Sequence, residues 1–369
     1  KKERATVHLK ELVGGALSFY AAAAVAKTGG VHIFVAEDRD AAAYLLNDFY
    51  NLLDEKQVYF FPSSYKRSAA YGAEDAQGVV QRTTAMNAVR GFTKGYLVVC
   101  TYPEALAERV VDAATLQRDT IAVKLGDKIS IAVLEDALAD ANFTRVDFVY
   151  EPGQYSVRGG IVDVFSYSES KPYRIDFFGD EVDSIRRFNI SSQLSADKLD
   201  RVEIVPNLNA GEAPRVSFVQ FAGSSATCWF YDADYVLRRV NDLRRKVLAD
   251  MEEPGQIDRL LTSRNVLLRD MAGNSVVALR DNLPERPATA AVVFDTAPQP
   301  KFNKNFEMLA DDMIRNSLRG YATYILSENK VQVERLENIF HQIGRGQAAV
   351  RSLSVTLHEG FVDNDLKLC

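Results

Sequence analysis

The amino-terminal part of the chain alternates between short apolar strands and amphipathic helices, and this rhythm is the strongest constraint on the fold. Apolar runs at residues 31–35, 58–61 and 96–100 are typical of buried strands. The stretches between them, residues 41–53 and 76–89, carry apolar side chains at helical spacing. A strand, helix, strand order predicts a parallel sheet with helices on its faces. The sequence therefore predicts an α/β fold.

The pattern changes after residue 121. A short helix is predicted over residues 131–142, and turn signals such as Gly159-Gly160 and Gly179-Asp180 then separate short strands. Strands joined by tight turns predict a small α+β domain with an antiparallel sheet, which ends near Pro206.

The remaining sequence mixes both element types. We predict a strand over residues 216–221 and a long charged helix over residues 234–251. From residue 297 onward, helix and strand alternate again, which predicts a second small α/β unit. A chain of 369 residues is expected to form two to three domains, because one core rarely serves so long a chain.

The composition narrows the function. The net charge of −6 argues against a protein that coats nucleic acid, because phosphate binding needs an excess of basic charge. Cys100, Cys228 and Cys369 are far apart and lack metal-ligand spacing. We therefore expect no disulfide framework, no metal site and a cytoplasmic location. No apolar run has the length of a membrane span, and we expect no membrane partner.

The chain stops at Cys369 in what resembles the middle of a strand, which we interpret as a fragment of a longer polypeptide.

The loop before the first long helix is where an α/β fold of this kind would bind a nucleotide. Gly14 and Gly15 open an alanine-rich helix, and the backbone N–H groups at such a start attract phosphate. A working phosphate loop also needs a Gly-Lys-Ser/Thr triplet, which occurs nowhere in the sequence. Ser18 and Phe19 stand roughly where its lysine and hydroxyl would be. We therefore predict a degenerate loop, marked by Gly14, Gly15 and Ser18, with no cofactor.

Other catalytic patterns are also incomplete. Glu37-Asp38 and Asp311-Asp312 are paired carboxylates, but neighbouring acids are more typical of helix caps and loops than of acid–base pairs. We expect Asp38 and Asp311 each to cap a helix. The sequence thus predicts no catalytic residues.

The strand predicted at residues 173–178 carries an unusual pattern. Successive side chains of a strand point to opposite faces, so residues 173, 175 and 177 are predicted to face the core. Arg174, Asp176 and Phe178 then share the other face, and Arg158 on a neighbouring strand joins them. An aromatic ring beside arginines is typical of a protein–protein hot spot.

The same residues also allow an ordinary surface. In that alternative, Phe178 lies under a loop, and Arg174 pairs with Asp176 or Asp180 in a surface salt bridge. The spacing alone leaves both interpretations open.

Five stretches of the sequence together resemble a known family. They are Phe61-Pro62-Ser63-Ser64-Tyr65, residues 74–83, residues 153–165, residues 172–178 and residues 358–363. They resemble the amino-terminal part of bacterial transcription-repair coupling factors, the Mfd family. The resemblance implies a degenerate RecA-like, UvrB-like domain formed by residues 1–115 and 207–290. It also implies an inserted UvrA-binding domain at residues 116–206 and a third small α/β domain at residues 291–369.

The resemblance further implies which residues bind UvrA. Arg158, Arg174 and Phe178 match the UvrA-contact positions of the family, and together with Gly159 and Asp176 they form the predicted partner site. UvrB itself has an intact phosphate loop and a long hairpin after its second strand. Residues 61–82 are too short for such a hairpin, which favours the coupling factor over UvrB.

Our first hypothesis is therefore a non-catalytic adaptor that docks UvrA. The parent protein would contact RNA polymerase and DNA, and translocate with ATP, through carboxy-terminal domains that are missing here. The alternative is a UvrB-like nucleic-acid enzyme with weak residual ATP and DNA binding. A third interpretation is an autoinhibitory module whose partner site is covered by another part of the parent.

Overall fold

The structure, a computed structural model, describes residues 4–65, 75–209, 213–251, 253–280 and 286–369. Residues 61–82 were predicted to be too short for a long hairpin. Residues 66–74 of this stretch lie outside the described residues.

The elements follow one another in four sections of the chain. The first section contains β1 (Thr6–Lys10), α1 (Ala16–Thr28), β2 (Gly30–Val35), α2 (Arg39–Leu52), β3 (Val58–Phe60), α3 (Ala76–Gly91), β4 (Tyr96–Thr101), α4 (Pro103–Ala107), β5 (Val110–Val111) and α5 (Ala113–Asp119). The second contains β6 (Ile121–Lys124), α6 (Ile131–Asp140), β7 (Thr144–Arg145), β8 (Gln154–Arg158), β9 (Ile161–Val164), β10 (Tyr173–Phe178), β11 (Glu181–Phe188), β12 (Ser195–Leu199) and β13 (Arg201–Ile204).

The third section contains β14 (Arg215–Val216), α7 (Phe218–Ala222), β15 (Thr227–Phe230), α8 (Ala233–Asp250), α9 (Ile257–Leu260), α10 (Arg264–Asp270), β16 (Ser275–Ala278) and β17 (Ala290–Val293). The fourth contains β18 (Thr296–Pro298), α11 (Phe306–Leu318), β19 (Tyr324–Leu326), α12 (Lys330–Gln342), β20 (Arg351–Leu353) and β21 (Phe361–Asp363).

A parallel sheet of seven strands organises the first and third sections. Its order is β17-β1-β16-β15-β2-β4-β3, and every neighbouring pair is parallel. The central strands β2, β4 and β15 are almost wholly buried, as apolar runs between two helical layers require. The predicted α/β class with a parallel sheet is confirmed.

The second section forms a separate sheet in the order β12-β11-β10-β9-β8-β7. Its neighbours are antiparallel from β8 to β12, as the glycine turns predicted, and only β7 pairs with β8 in parallel. Helix α6 buries Leu134 and Leu138 against one face of this sheet, where they meet Val162 and Ile175. The opposite face of β8, β9 and β10 carries the predicted partner site.

The fourth section forms a small cluster of its own. β19 and β20 pair in parallel, and α11 and α12 pack Ala310, Met313 and Phe340 together. β21 pairs with β18 in the antiparallel sense. None of the helices in the described ranges is long and apolar enough to cross a membrane.

A buried polar network explains two of the stretches that carry the family resemblance. Arg82 donates to the carbonyl oxygens of Pro62 at 2.8 Å, Ala105 at 3.0 Å and Glu108 at 2.9 Å. The carboxylate of Glu108 accepts from Ser64 N–H at 3.0 Å, and Arg82 lies 3.7 Å from it. These residues therefore fix the chain after β3 to α3 and α4, which is a structural role.

Two of three local predictions were wrong, each for its own reason. The predicted strand at residues 216–221 is mostly helix α7, because Ser217 accepts from Gln220 N–H at 3.1 Å and starts a helix. Asp38 caps α2 as expected, accepting from Ala41 N–H at 2.8 Å. Asp311 is not a cap; it lies inside α11, where it pairs with Arg345.

Candidate functional site

The register of three strands brings the predicted partner residues to one face of the sheet. Arg174 on β10 lies opposite Asp163 on β9, which in turn lies opposite Ser156 on β8. Residues opposite one another on neighbouring strands point to the same side. Arg158, two residues after Ser156 on β8, therefore points to the same side as Arg174, with β9 between them.

A single buried carboxylate holds both arginines. Arg174 donates from Nε to Asp163 Oδ1 at 2.7 Å and from Nη2 to Oδ2 at 2.8 Å, while Arg158 Nη2 donates to Oδ2 at 2.5 Å. The side chain of Asp163 is only 2% exposed, against 15% for Arg174 and 36% for Arg158. The hydrogen bonds that Arg174 donates to the carboxylate of Asp163 raise the pKa of Arg174. Asp163 thus holds both guanidinium groups in fixed orientations.

Each guanidinium group also lies over an aromatic ring. Arg174 stacks on the buried ring of Phe188, 4.4 Å from its centroid. Arg158 stacks on the half-exposed ring of Phe148, 4.8 Å away. Cation–π contacts of this kind hold the planar guanidinium groups in place.

Phe178 lies at the end of β10 and points into water. Its side chain is 84% exposed, while Tyr173 and Ile175 on the other side of the strand are buried. The predicted alternation of faces along this strand is confirmed. We name Arg158, Arg174 and Phe178 the arginine–phenylalanine surface.

Gly159 and Asp176 have supporting positions around this surface. Gly159 has a φ of +59° in the turn between β8 and β9, a conformation that favours glycine. Asp176 accepts hydrogen bonds from Ser184 and Arg186 on β11. The alternative in which Phe178 lies under a loop and Arg174 pairs with Asp176 or Asp180 is wrong, because the carboxylate partner of Arg174 is Asp163.

Sequence reasoning missed Asp163 and Phe148. The signal for Asp163 is an aspartate between two valines in a buried strand, because a charge there must find partners. Phe148 has no comparable signal, since it lies in the irregular segment between β7 and β8. Only the fold brings its ring under Arg158.

The glycine loop, residues 12–18, follows β1 of the parallel sheet and includes the first residues of α1. Gly15 occupies the N-cap position of α1 without a side-chain cap, and Gly14 has a φ of +53°. Ser18 donates its hydroxyl to the buried Asp48 at 2.5 Å. The glycine loop therefore lies at the seven-stranded sheet, whereas the arginine–phenylalanine surface lies on the six-stranded sheet.

Among the described residues, no group of three or more His, Cys, Asp and Glu side chains is arranged to hold a metal ion.

Comparisons with known proteins show which proteins this chain is similar to. Residues 121–209 match the family model described as the UvrB interaction domain. The chain is 27% identical over 199 residues to the transcription-repair-coupling factors of Bacillus subtilis and Escherichia coli, which covers 54% of this chain and 17% of each relative. It is 35% identical over 101 residues to the factor of Haemophilus influenzae, which covers 27% of this chain and 9% of the relative.

The matched region is thus less than a fifth of the length of these relatives. The comparisons confirm the resemblance drawn from the sequence: the second section of the chain matches the UvrB interaction domain, and the chain is similar to transcription-repair-coupling factors over about half its length.

Proposed function

We propose that this chain is an adaptor that docks UvrA through the arginine–phenylalanine surface of the inserted domain, residues 116–206. The single observation that carries the proposal is Phe178, which is 84% exposed at the end of a strand whose sheet also presents two arginines fixed by one buried carboxylate. The match of residues 121–209 to the UvrB interaction domain supports the same assignment.

The chemistry of the surface suits a protein partner. Aromatic rings and arginines are enriched at the energetic centres of protein interfaces. Asp163 and the rings of Phe148 and Phe188 hold the guanidinium groups in place before a partner arrives, so little side-chain entropy is lost on binding. Arginines held in this way present planar donors to carboxylates or backbone carbonyls of the partner.

Three apolar clusters support the proposed domains. The buried residues of the first cluster lie at 21–116 and 205–277, on either side of the second cluster at 123–204. The third cluster lies at 310–348. We assign them to a UvrB-like, RecA-like domain of residues 1–115 and 207–290, the inserted domain of residues 116–206, and a third domain of residues 291–369.

We propose further that this part of the protein has no catalytic role, because the sequence lacks the Gly-Lys-Ser/Thr triplet. In the complete protein, contacts with RNA polymerase, binding to DNA and ATP-driven translocation would belong to other regions. Docking UvrA would then recruit excision repair to stalled polymerase, in the cytoplasm.

A binding titration tests the docking proposal. UvrA is titrated with the parent chain and with Phe178→Ala and Arg174→Ala, and we expect each variant to lose about 2 kcal/mol of binding free energy. Val133→Ala is the matched control, because this exposed residue lies on α6 in the same domain but in the layer on the other side of the sheet. The control should bind like the parent.

Unchanged affinity of both Phe178→Ala and Arg174→Ala would refute the assignment of the surface. A similar loss in Val133→Ala would show that the effect is not local to it.

A further inference from the structure

A segment of the fourth section lies directly on the glycine loop. A Cβ atom added to Gly15 would collide with the carbonyl oxygen of Glu359, and one added to Gly14 would lie 2.5 Å from the carbonyl oxygen of Gly360. Real Cβ atoms do not approach other atoms so closely. The two glycines therefore allow a close backbone-to-backbone approach of residues 357–360.

Specific hydrogen bonds hold this segment in place. The buried carboxylate of Asp48 accepts from the Ser18 hydroxyl at 2.5 Å and from the His358 backbone N–H at 2.7 Å. One carboxylate on α2 thus joins the first turn of α1 to the docked segment. Asn51, one turn further along α2, donates to the Thr356 hydroxyl at 3.0 Å.

Aromatic contacts extend the same interface. The imidazole of His358 stacks on Tyr44 with ring centroids 3.6 Å apart. The rings of Phe19 and Phe361 pack with their centroids 5.7 Å apart. The Tyr20 hydroxyl donates a hydrogen bond to the carboxylate of Asp363 at 2.5 Å. Side chains of the first turns of α1 and of one face of α2 therefore contact residues 356–363.

The charge at this place is unfavourable for phosphate. The docked segment puts two carbonyl oxygens at the helix start, where a phosphate would need N–H groups. Glu37, Asp48 and Glu359 line the remaining cavity of about 260 Å³. A triphosphate would thus meet both steric overlap and like charge.

We propose that the glycine loop is an intramolecular docking site for residues 357–360, and that the docked segment excludes nucleotides from the loop. The proposal goes beyond the UvrA-docking function and does not depend on it, because its residues lie outside the inserted domain. It gives the two glycines a role that needs no lysine: they receive a backbone segment of the same chain.

Gly15→Ala tests the docking directly. Gly15 has a helical backbone, with φ −65° and ψ −8°, so alanine fits the loop itself and overlaps only with the docked segment. We expect amide hydrogen exchange in residues 356–361 to become about tenfold faster or more, with β2 and β4 unchanged. Gly91→Ala is the matched control, because a Cβ there meets no atom within 4 Å, and it should exchange like the parent.

A second variant covers the case in which Gly15→Ala disturbs the whole fold. Tyr44→Ala removes the half-exposed ring under His358 and leaves the core of the sheet untouched. It should also speed exchange in residues 356–361. Parent-like exchange in both variants would overturn the docking site.

Nucleotide exclusion has its own test. Excess MgATP is added to the parent chain, and exchange is followed in residues 12–18 and 356–361. We expect no change in either segment. Protection of the glycine loop, or release of residues 356–361 by MgATP, would overturn the exclusion.

Discussion

At the scale of single residues, Asp163 explains why two arginines of different strands act together. A buried carboxylate is tolerated only when charged donors satisfy it, and here two guanidinium groups supply three hydrogen bonds. In return, the carboxylate fixes the position of each guanidinium group on the exposed face. Asp163 is therefore a positioning residue of the proposed docking surface, although it lies beneath it.

Removing this carboxylate should destabilise the second section of the chain. We expect Asp163→Ala to lower the free energy of unfolding by about 2 kcal/mol, because two partly buried guanidinium groups lose their shared acceptor. Asp163→Asn, which keeps one acceptor oxygen, should lose less. Urea unfolding measures both, with Asp197→Ala at an exposed position of β12 as control. Parent-like stability of Asp163→Ala would contradict the assigned role.

Asp48 gives the docked segment a defined pH dependence. Burial is the largest influence and raises the pKa of Asp48, hydrogen bonds from Ser18 and from the His358 N–H partly offset it, and the charge of Glu359 adds only a small further increase. A carboxyl group whose pKa is higher in the folded than in the unfolded chain opposes folding when it is charged. Stability is therefore gained as the pH falls through the raised pKa.

The comparison with Asp48→Asn isolates this effect. We expect the parent to gain stability relative to the variant as the pH is lowered from neutral towards the ordinary carboxyl pKa of about 4. Urea midpoints of both proteins across this range give the difference. If the difference in urea midpoint between the two proteins stays constant, or if the parent loses stability relative to Asp48→Asn at lower pH, Asp48 is not the titrating group.

At the scale of elements, the turn between β8 and β9 sets the geometry of the surface. Arg158 and Ile161 close this hairpin, and Gly160 accepts from Phe177 N–H at 2.8 Å. The turn therefore joins β8 to the end of β10, where Phe178 lies. Gly159 and Gly160 therefore shape the backbone of the turn, and the side chain of Arg158 is the group proposed to contact the partner.

Gly159→Ala should show the backbone role. Alanine at a φ of +59° is expected to lower the free energy of unfolding by about 1 kcal/mol, and Gly159→Asn should lose less because asparagine tolerates this conformation. Thermal unfolding of both variants and the parent measures the order. A Cβ at residue 159 has open space around it, so any loss of stability reports the backbone conformation and not a steric clash. Equal stability of all three proteins would contradict a strained turn.

The sequence predicted these elements unevenly, for physical reasons. Alternation along residues 173–178 has a period of two and needs no knowledge of the neighbouring strands, so it indicated the exposed face correctly. The pairing of Arg174 with Asp163 depends on strand register, which the sequence does not determine alone. Helix α7 was mistaken for a strand, because a short apolar run fits both structures and its cap at Ser217 decided the outcome.

At the scale of the whole molecule, the large parallel sheet and the proposed docking surface lie in different sections of the chain. The parallel sheet packs the largest apolar cluster, and the second section packs a cluster of its own between its sheet and α6. The contact of residues 356–363 with α1 and α2 fixes the fourth section to the parallel sheet. The sequence predicted three units, and it gave no sign that residues 357–360 would lie against the glycine loop.

The most direct test of the central claim is a hydrogen-exchange footprint of the chain saturated with UvrA. We predict slower exchange in the two turns that flank the arginine–phenylalanine surface, at residues 158–161 and 178–181. Exchange in α6, on the other side of the same sheet, should not change. Protection of α6 with unchanged turns would contradict the account, because UvrA would then bind the opposite face.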